Sequence, residues 1–271
     1  MDHSDSRAFS SKILLFGEYL VLLGGQSLSF PYNKYNLKKS SQYLSKNTFF
    51  FQKLVNYIDQ NEDLRSRLSP SFKKEVLQGI HFESSIPVGY GLGSSGALVA
   101  AIYDEFFMEK ATDYVQLKKD LAALESFFHE KSSGIDPLTS YLNQPILSGQ
   151  EGLEVLTTIE LGNFTLYDSG KKRSAKEAIK HFNSLKAEPQ FLLGLAHLTE
   201  LSNAMIQKYI GKEPILAELK EYSEQQFNIF HDFIPKNVKL EWQKGLDSEE
   251  FFMKLCGAGM GGMYLKYVPK S

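Results

Sequence analysis

Pro87 to Ala97 places four glycines and two serines together, in the order Pro-Val-Gly-Tyr-Gly-Leu-Gly-Ser-Ser-Gly-Ala, directly after the strand-like run Ile80 to Ile86. Glycine at 89, 91, 93 and 96 permits positive φ and removes the Cβ atoms that would hold a bulky anion away from main-chain N–H groups. From Ser95 to Phe107 the chain is apolar almost all round, which predicts a buried helix whose first turn points free N–H groups and a positive dipole end at the loop. A phosphate suits that position. The hydroxyls of Ser94 and Ser95 can cap the helix, bind phosphate oxygen or ligate a magnesium ion that bridges phosphates. Gly91-x-Gly93-x-x-Gly96 formally fits the dinucleotide fingerprint, but residues 113–120 read as helix where that motif needs a strand ending in an acidic residue. The absence of Gly-Lys-Ser/Thr excludes a Walker A loop, and a glycine-rich turn without a ligand is the remaining alternative.

Other candidate groups are dispersed. Lys12 and Glu18 are the charges in the apolar run Lys12 to Leu23, and taken alone they read as a strand end in water and an exposed turn. Glu125 lies beside an apolar stripe of Leu117, Leu121, Leu124 and Phe128 and is followed at i+4 by His129. Asp136 precedes Pro137, the pattern of a helix N-cap; a carboxylate fixed at a helix start is also available as a base, and both readings stand. Lys171-Lys172-Arg173 reads as a solvated loop by default. A second glycine cluster, Cys256-Gly-Ala-Gly-Met-Gly-Gly262, lies between strand-like runs and is either a tight turn or a loop brought close to a ligand.

The elements that must position these groups follow from pattern. Lys12 to Leu23 predicts two strands broken by Gly17-Glu18, with a short strand at Ser27 to Phe30. Helices are expected over Thr48 to Ile58, Ser71 to Leu77 and Val115 to Lys131, with Gly134 ending the last and Asp136-Pro137 beginning another. Residues 145–168 return to strand, helices follow near Ser174 to Leu185, Pro189 to Ile210 and Glu213 to Phe230, and Phe251 to Val268 closes with strands. The order predicts an α+β chain in two domains, 1–168 and 169–271.

Composition bounds the function. The 271 residues are 42% hydrophobic and 23% charged, with a net charge of −2, so no global field recruits nucleic acid or an anionic membrane, and the expected partner is a small molecule. A single cysteine, Cys256, excludes an intramolecular disulfide framework and a cysteine-based zinc site, and fits a reducing cytoplasm. The six histidines (His3, His81, His129, His181, His197, His231) show no paired metal-ligand spacing. No apolar run is long enough for a membrane helix or a signal peptide. A cytoplasmic monomer or homodimer is expected.

Three segments in order, Lys12 to Leu22, Pro87 to Ala97 and Cys256 to Gly262, resemble the motifs of the galactokinase, homoserine kinase, mevalonate kinase and phosphomevalonate kinase (GHMP) superfamily. The spacing Glu125-x-x-x-His129-x-x-x-Ser133-Gly134-x-Asp136 is similar to that of mevalonate kinases. The resemblance implies a ribosomal protein S5 domain 2-like N-terminal domain, a ferredoxin-like C-terminal domain, and ATP- and Mg2+-dependent phosphorylation of an alcohol, one that also carries an acidic group. It implies Asp136 as the base with Lys12 beside it, and Ser95 and Glu125 as magnesium ligands. Nucleotide binding is implied at Ser84, Pro87, Gly89, Gly91, Leu92, Gly93, Ser94, Ser95, Gly96, Ala97, Gly257 and Gly259. Glu18, Lys171 and Arg173, with Lys172, are implied on the acidic acceptor or the phosphates. Tyr19 stands where mevalonate kinases carry histidine and is similar to phosphomevalonate kinases; Met260 interrupts the third glycine run, and the chain is short between the first two motifs. The residues after Glu18 lack the His-Thr-Asp signature of galactokinases.

Overall fold

The computed structural model describes residues 6–129 and 131–270; His3, and Glu130 within the helix expected over Val115 to Lys131, lie outside them. The chain forms two compact units that interleave in sequence. One comprises residues up to 12, 31–86 and 93–144; the other comprises 13–30, 87–92 and residues from 145 onward. The expected division at 168/169 is therefore a division of sequence, and residues 13–30, 87–92 and 145–168 fold with the C-terminal part.

In the first unit lie the start of strand β1 (Ala8–Phe16) and most of β2 (Ser27–Lys39). β2 runs nine residues beyond the expected Phe30, because its far end pairs antiparallel with β3 (Phe82–Ser84), Leu37 facing Ser84. That partner is more than forty residues away in sequence and leaves no local signal. Helix α1 (Thr48–Asp59) buries Phe51, Leu54, Val55 and Ile58 at helical spacing. Short α2 (Glu62–Arg67) is capped by Asn61, and α3 (Pro70–Gln78) begins with proline at its first position and ends at left-handed Gly79.

Three helices then carry the chemistry-bearing residues. α4 (Ser94–Phe106) is buried on nearly every side, as its composition predicts. Its cap is Gly93, at φ 73° and with no side-chain cap bond, so Ser94 and Ser95 are in the first turn and do not cap it. α5 (Tyr114–Glu125) stops six residues short of the expected Lys131. There Ser126 donates its hydroxyl back to the Ala122 carbonyl, and Phe127 and Phe128 leave the helix to join Phe50 in an aromatic cluster. α6 (Ile135–Leu142) is capped by Gly134 at φ 74°, which corrects the expectation that Asp136 is the cap and that Gly134 ends the preceding helix: Asp136 lies in the first turn with its carboxylate free for other partners.

In the second unit the run after Gly17 is a 3-10 helix (Leu20–Leu23) and not a second strand; Gly17 (φ 105°) and Tyr19 (φ 62°) bend the backbone out of extended geometry before it begins. The Ser27 end of β2 pairs antiparallel with β4 (Ile146–Gly149), which pairs with β5 (Gly152–Val155). β6 (Phe164–Asp168) belongs to a three-stranded antiparallel sheet. Helices α7 (Ala175–Leu185), α8 (Pro189–Ile210) and α9 (Leu216–Ile229) match expectation closely. α10 (Lys236–Ser248) was not anticipated, since its thirteen residues bury only Val238, Trp242 and Gly245. β7 (Phe252–Leu255) and β8 (Met263–Tyr267) complete the sheet in the order β6-β8-β7. Helices with antiparallel sheets make the chain α+β, as expected.

Candidate active site

The first unit gathers four of the candidate side chains around the start of α4. Lys12 Nζ lies 2.8 Å from Asp136 Oδ1, with the lysine side chain only 8% exposed and the aspartate 32%. Lys12 is therefore not the solvated strand end its sequence context suggested. Two glycines make the arrangement possible. A Cβ on Gly96 would lie 2.9 Å from the Asp136 carbonyl carbon and the Pro137 nitrogen, and one on Gly93 would lie 2.7 Å from Lys12 Cγ. Only hydrogen fits there, so α6 sits directly against the first turn of α4.

Ser95 joins that turn to Glu125: its hydroxyl donates to Glu125 Oε1 at 3.3 Å and lies 3.4 Å from His129 Nε2. Ser132 donates to Glu125 Oε2 and accepts from the Gly134 N–H. Burial, and then the negative charge of Asp136, push the Glu125 carboxyl up to about 7; the hydroxyls of Ser132 and Ser95 and the charge of Lys12 act the other way. A buried carboxylate held at this cost gains from a cation beside it. Among the described residues no group of three or more His, Cys, Asp or Glu could hold a metal by itself. The oxygens of Ser95 and Glu125 do fit a magnesium ion whose other ligands are phosphates and water, since that ion needs only one or two protein ligands.

The second unit brings residues 87–92 of the first glycine cluster to the second cluster. The Arg173 N–H donates to the Gly89 carbonyl at 2.9 Å, and the Met263 N–H to the Tyr90 carbonyl at 3.2 Å. The Gly262 N–H donates to Lys171 O at 2.7 Å. The Arg173 guanidinium lies between the two loops: a Cβ on Gly91 would be 2.6 Å from its Nη1, and one on Gly257 2.4 Å. A guanidinium against glycine backbone is a forked donor set suited to phosphate or carboxylate.

Other sequence candidates fall elsewhere. Glu18 is 1% exposed and is held by Lys254 and the Tyr222 hydroxyl, so it is neither in an exposed turn nor open to an acceptor; its apolar surroundings require the buried partner. Ser84 ends β3, its hydroxyl accepting from the Ile86 N–H, and nothing in its unit brings it to the Lys12 group. Leu92 and Ala97 have buried side chains and could offer only backbone; Pro87 is half-buried. Lys171 and Lys172 are exposed. Sequence reasoning gave no role to Ser132 or Lys254. A lone lysine in the apolar run Phe252–Leu255 was the available signal for the latter.

Residues 53–144 match the family model described as the GHMP kinases N terminal domain. No curated protein matches the chain in sequence. The solved L. major mevalonate kinase, in complex with R-mevalonate, is similar with a TM-score of 0.66 at 15% identity, over 99% of this chain and 88% of that one. The Methanococcus jannaschii mevalonate kinase gives 0.67 at 15% identity, over 99% and 92%. A Lactococcus lactis galactokinase complexed with galactose gives 0.58 at 12% identity, over 98% and 86%. Residues 53–144 thus carry the match to a GHMP kinase N-terminal domain, and the chain has the fold of solved mevalonate kinases and a galactokinase over nearly its whole length.

Proposed function

We propose that the chain is an ATP- and magnesium-dependent small-molecule kinase of mevalonate-kinase type, which transfers the γ-phosphoryl group to the hydroxyl of an alcohol that also carries an acidic group. The observation that carries this reading is the Lys12–Asp136 pair at the first turn of α4, with Ser95 on that turn and Glu125, at the end of α5, accepting its hydroxyl. Phosphoryl transfer needs little covalent work from a protein and much positioning and charge neutralisation. Asp136 orients the acceptor hydroxyl and takes its proton as the new P–O bond forms and the bond to ADP breaks. Lys12 steadies Asp136 and the charge on the transferred group. Unpaired N–H groups at the start of α4 face phosphate oxygens.

Ser95 and Glu125 would hold magnesium, which would supply positive charge to offset that of the phosphates. Arg173, with the backbone of Gly89, Gly91, Gly257 and Gly259, serves phosphate or the acidic end of the acceptor. On this reading residues 1–168 supply the base, the metal ligands and the phosphate loop, and 169–271 the basic segment and third glycine loop. The test is ATP-to-ADP turnover with magnesium across mevalonate, phosphomevalonate, homoserine and sugars, with a no-acceptor control. Turnover dependent on one acceptor supports the reading; nucleotide binding without turnover on any of them would favour a nucleotide-binding sensor of the same fold.

A further inference from the structure

The turn Gly17-Glu18-Tyr19 is built at some cost. A Cβ on Gly17 would lie 2.6 Å from the Gln26 carbonyl oxygen, so the turn is pressed against the next strand. Glu18 forms a buried ion pair with Lys254, the two side chains 0% and 1% exposed. Such pairs are poor sources of stability, since desolvating both charges cancels most of their attraction, and their better-attested use is to fix register. Tyr19 then adopts φ 62°, unusual for a bulky residue, while almost fully buried.

What the turn holds is the third glycine loop. Lys254 also donates to the Leu255 carbonyl, and the Gln226 side chain accepts from the Leu255 N–H at 2.7 Å, so Glu18 is tied to the entry of that loop. The next residue reaches its middle: the Tyr19 hydroxyl donates to the Ala258 carbonyl at 2.6 Å. The Tyr19 ring is stacked between Phe182 and Phe230, with centroids 4.4 and 5.2 Å away. Burial pushes its phenol well above the usual range, so the hydroxyl stays a donor. In a trans peptide the C=O and N–H point in opposite directions. With the Ala258 carbonyl turned to Tyr19, the Gly259 N–H is turned away from it, and among the described residues that N–H has no partner. Arg173 lies against Gly257 in the same loop.

We propose that Tyr19 is a positioning residue, whose hydroxyl fixes the peptide plane between Ala258 and Gly259 and so holds the Gly259 N–H ready for a phosphate oxygen of the nucleotide. The assignment rests on the kinase reading above. Tyr19→Phe removes one oxygen and keeps the ring stack. Its control is Tyr209→Phe, which removes the hydroxyl of a half-buried tyrosine donating to the Glu160 carbonyl at 2.7 Å, in the same unit but away from the third glycine loop. Binding of a non-hydrolysable ATP analogue with magnesium is measured calorimetrically for the full chain and both variants, beside thermal melting and steady-state kinetics. Tyr19→Phe should bind about tenfold more weakly, with a matching rise in the KM for ATP, an acceptor KM within twofold of wild type, and melting no lower than that of Tyr209→Phe. Tyr209→Phe should bind as wild type does. Equal binding by Tyr19→Phe and wild type, or equal weakening in both variants, overturns the positioning role and leaves the kinase reading intact. A wild-type chain that binds no nucleotide overturns both.

Discussion

The two units assemble their candidate groups by opposite means. The first gathers charged side chains, Lys12, Asp136 and Glu125, and the Ser95 hydroxyl around one helix start. The second removes side chains, pressing Gly262 against the Tyr90 backbone and admitting the Arg173 guanidinium between Gly91 and Gly257. The first arrangement is therefore sensitive to a change of charge at constant shape, and the second to a change of shape at constant charge.

That contrast predicts a separation of effects. Asp136→Asn keeps the shape and removes the charge, so kcat should fall by about a thousandfold, within the range for a lost general base, while analogue binding stays within a few-fold of wild type. Near-normal turnover in that variant would remove Asp136 from the mechanism. Gly257→Ala does the reverse. Its backbone stands at φ 100°, where a Cβ is strained, and the added methyl would meet Arg173. The expected loss is about 1–2 kcal/mol in chemical unfolding from the backbone strain, with Arg173 displaced, weakened nucleotide binding and no change in the pH profile of kcat. Wild-type stability there would show that the loops are looser than their geometry implies.

The same contrast explains what could be read beforehand. Glycine clusters and a spacing such as Glu125 to Asp136 survive as local patterns, and helices α7, α8 and α9 were legible from apolar periodicity. Three features were hidden because their causes are not local. β2 continues to Lys39 on account of a partner at Phe82–Ser84. The burial of Glu18 depends on Lys254, more than two hundred residues away. The cap of α6 passed to Gly134 because the chain there crosses close to the Lys118 carbonyl, 2.4 Å from where a Cβ would be, which leaves Asp136 to face Lys12. Helix α10 escaped notice for another reason: with few buried residues its apolar stripe is too thin to see.

Glu125 gives the finest test, because its two causes can be separated. With a folded-state value of about 7 against an ordinary 4.5, the native protein binds more protons than the unfolded chain between those limits. Stability therefore falls as pH rises from about 4.5 to about 7, and is flat beyond. Glu125→Gln removes that titration, so without magnesium the variant should gain on wild type across this window, by about 2 kcal/mol in all, as read from urea unfolding at several pH values. A parallel pair of curves would show that the carboxyl is not raised. In Asp136→Asn the charge that contributes to the shift is gone while burial remains. The wild-type slope should then persist but end at a lower pH, and if it disappears altogether, charge and not burial governs Glu125.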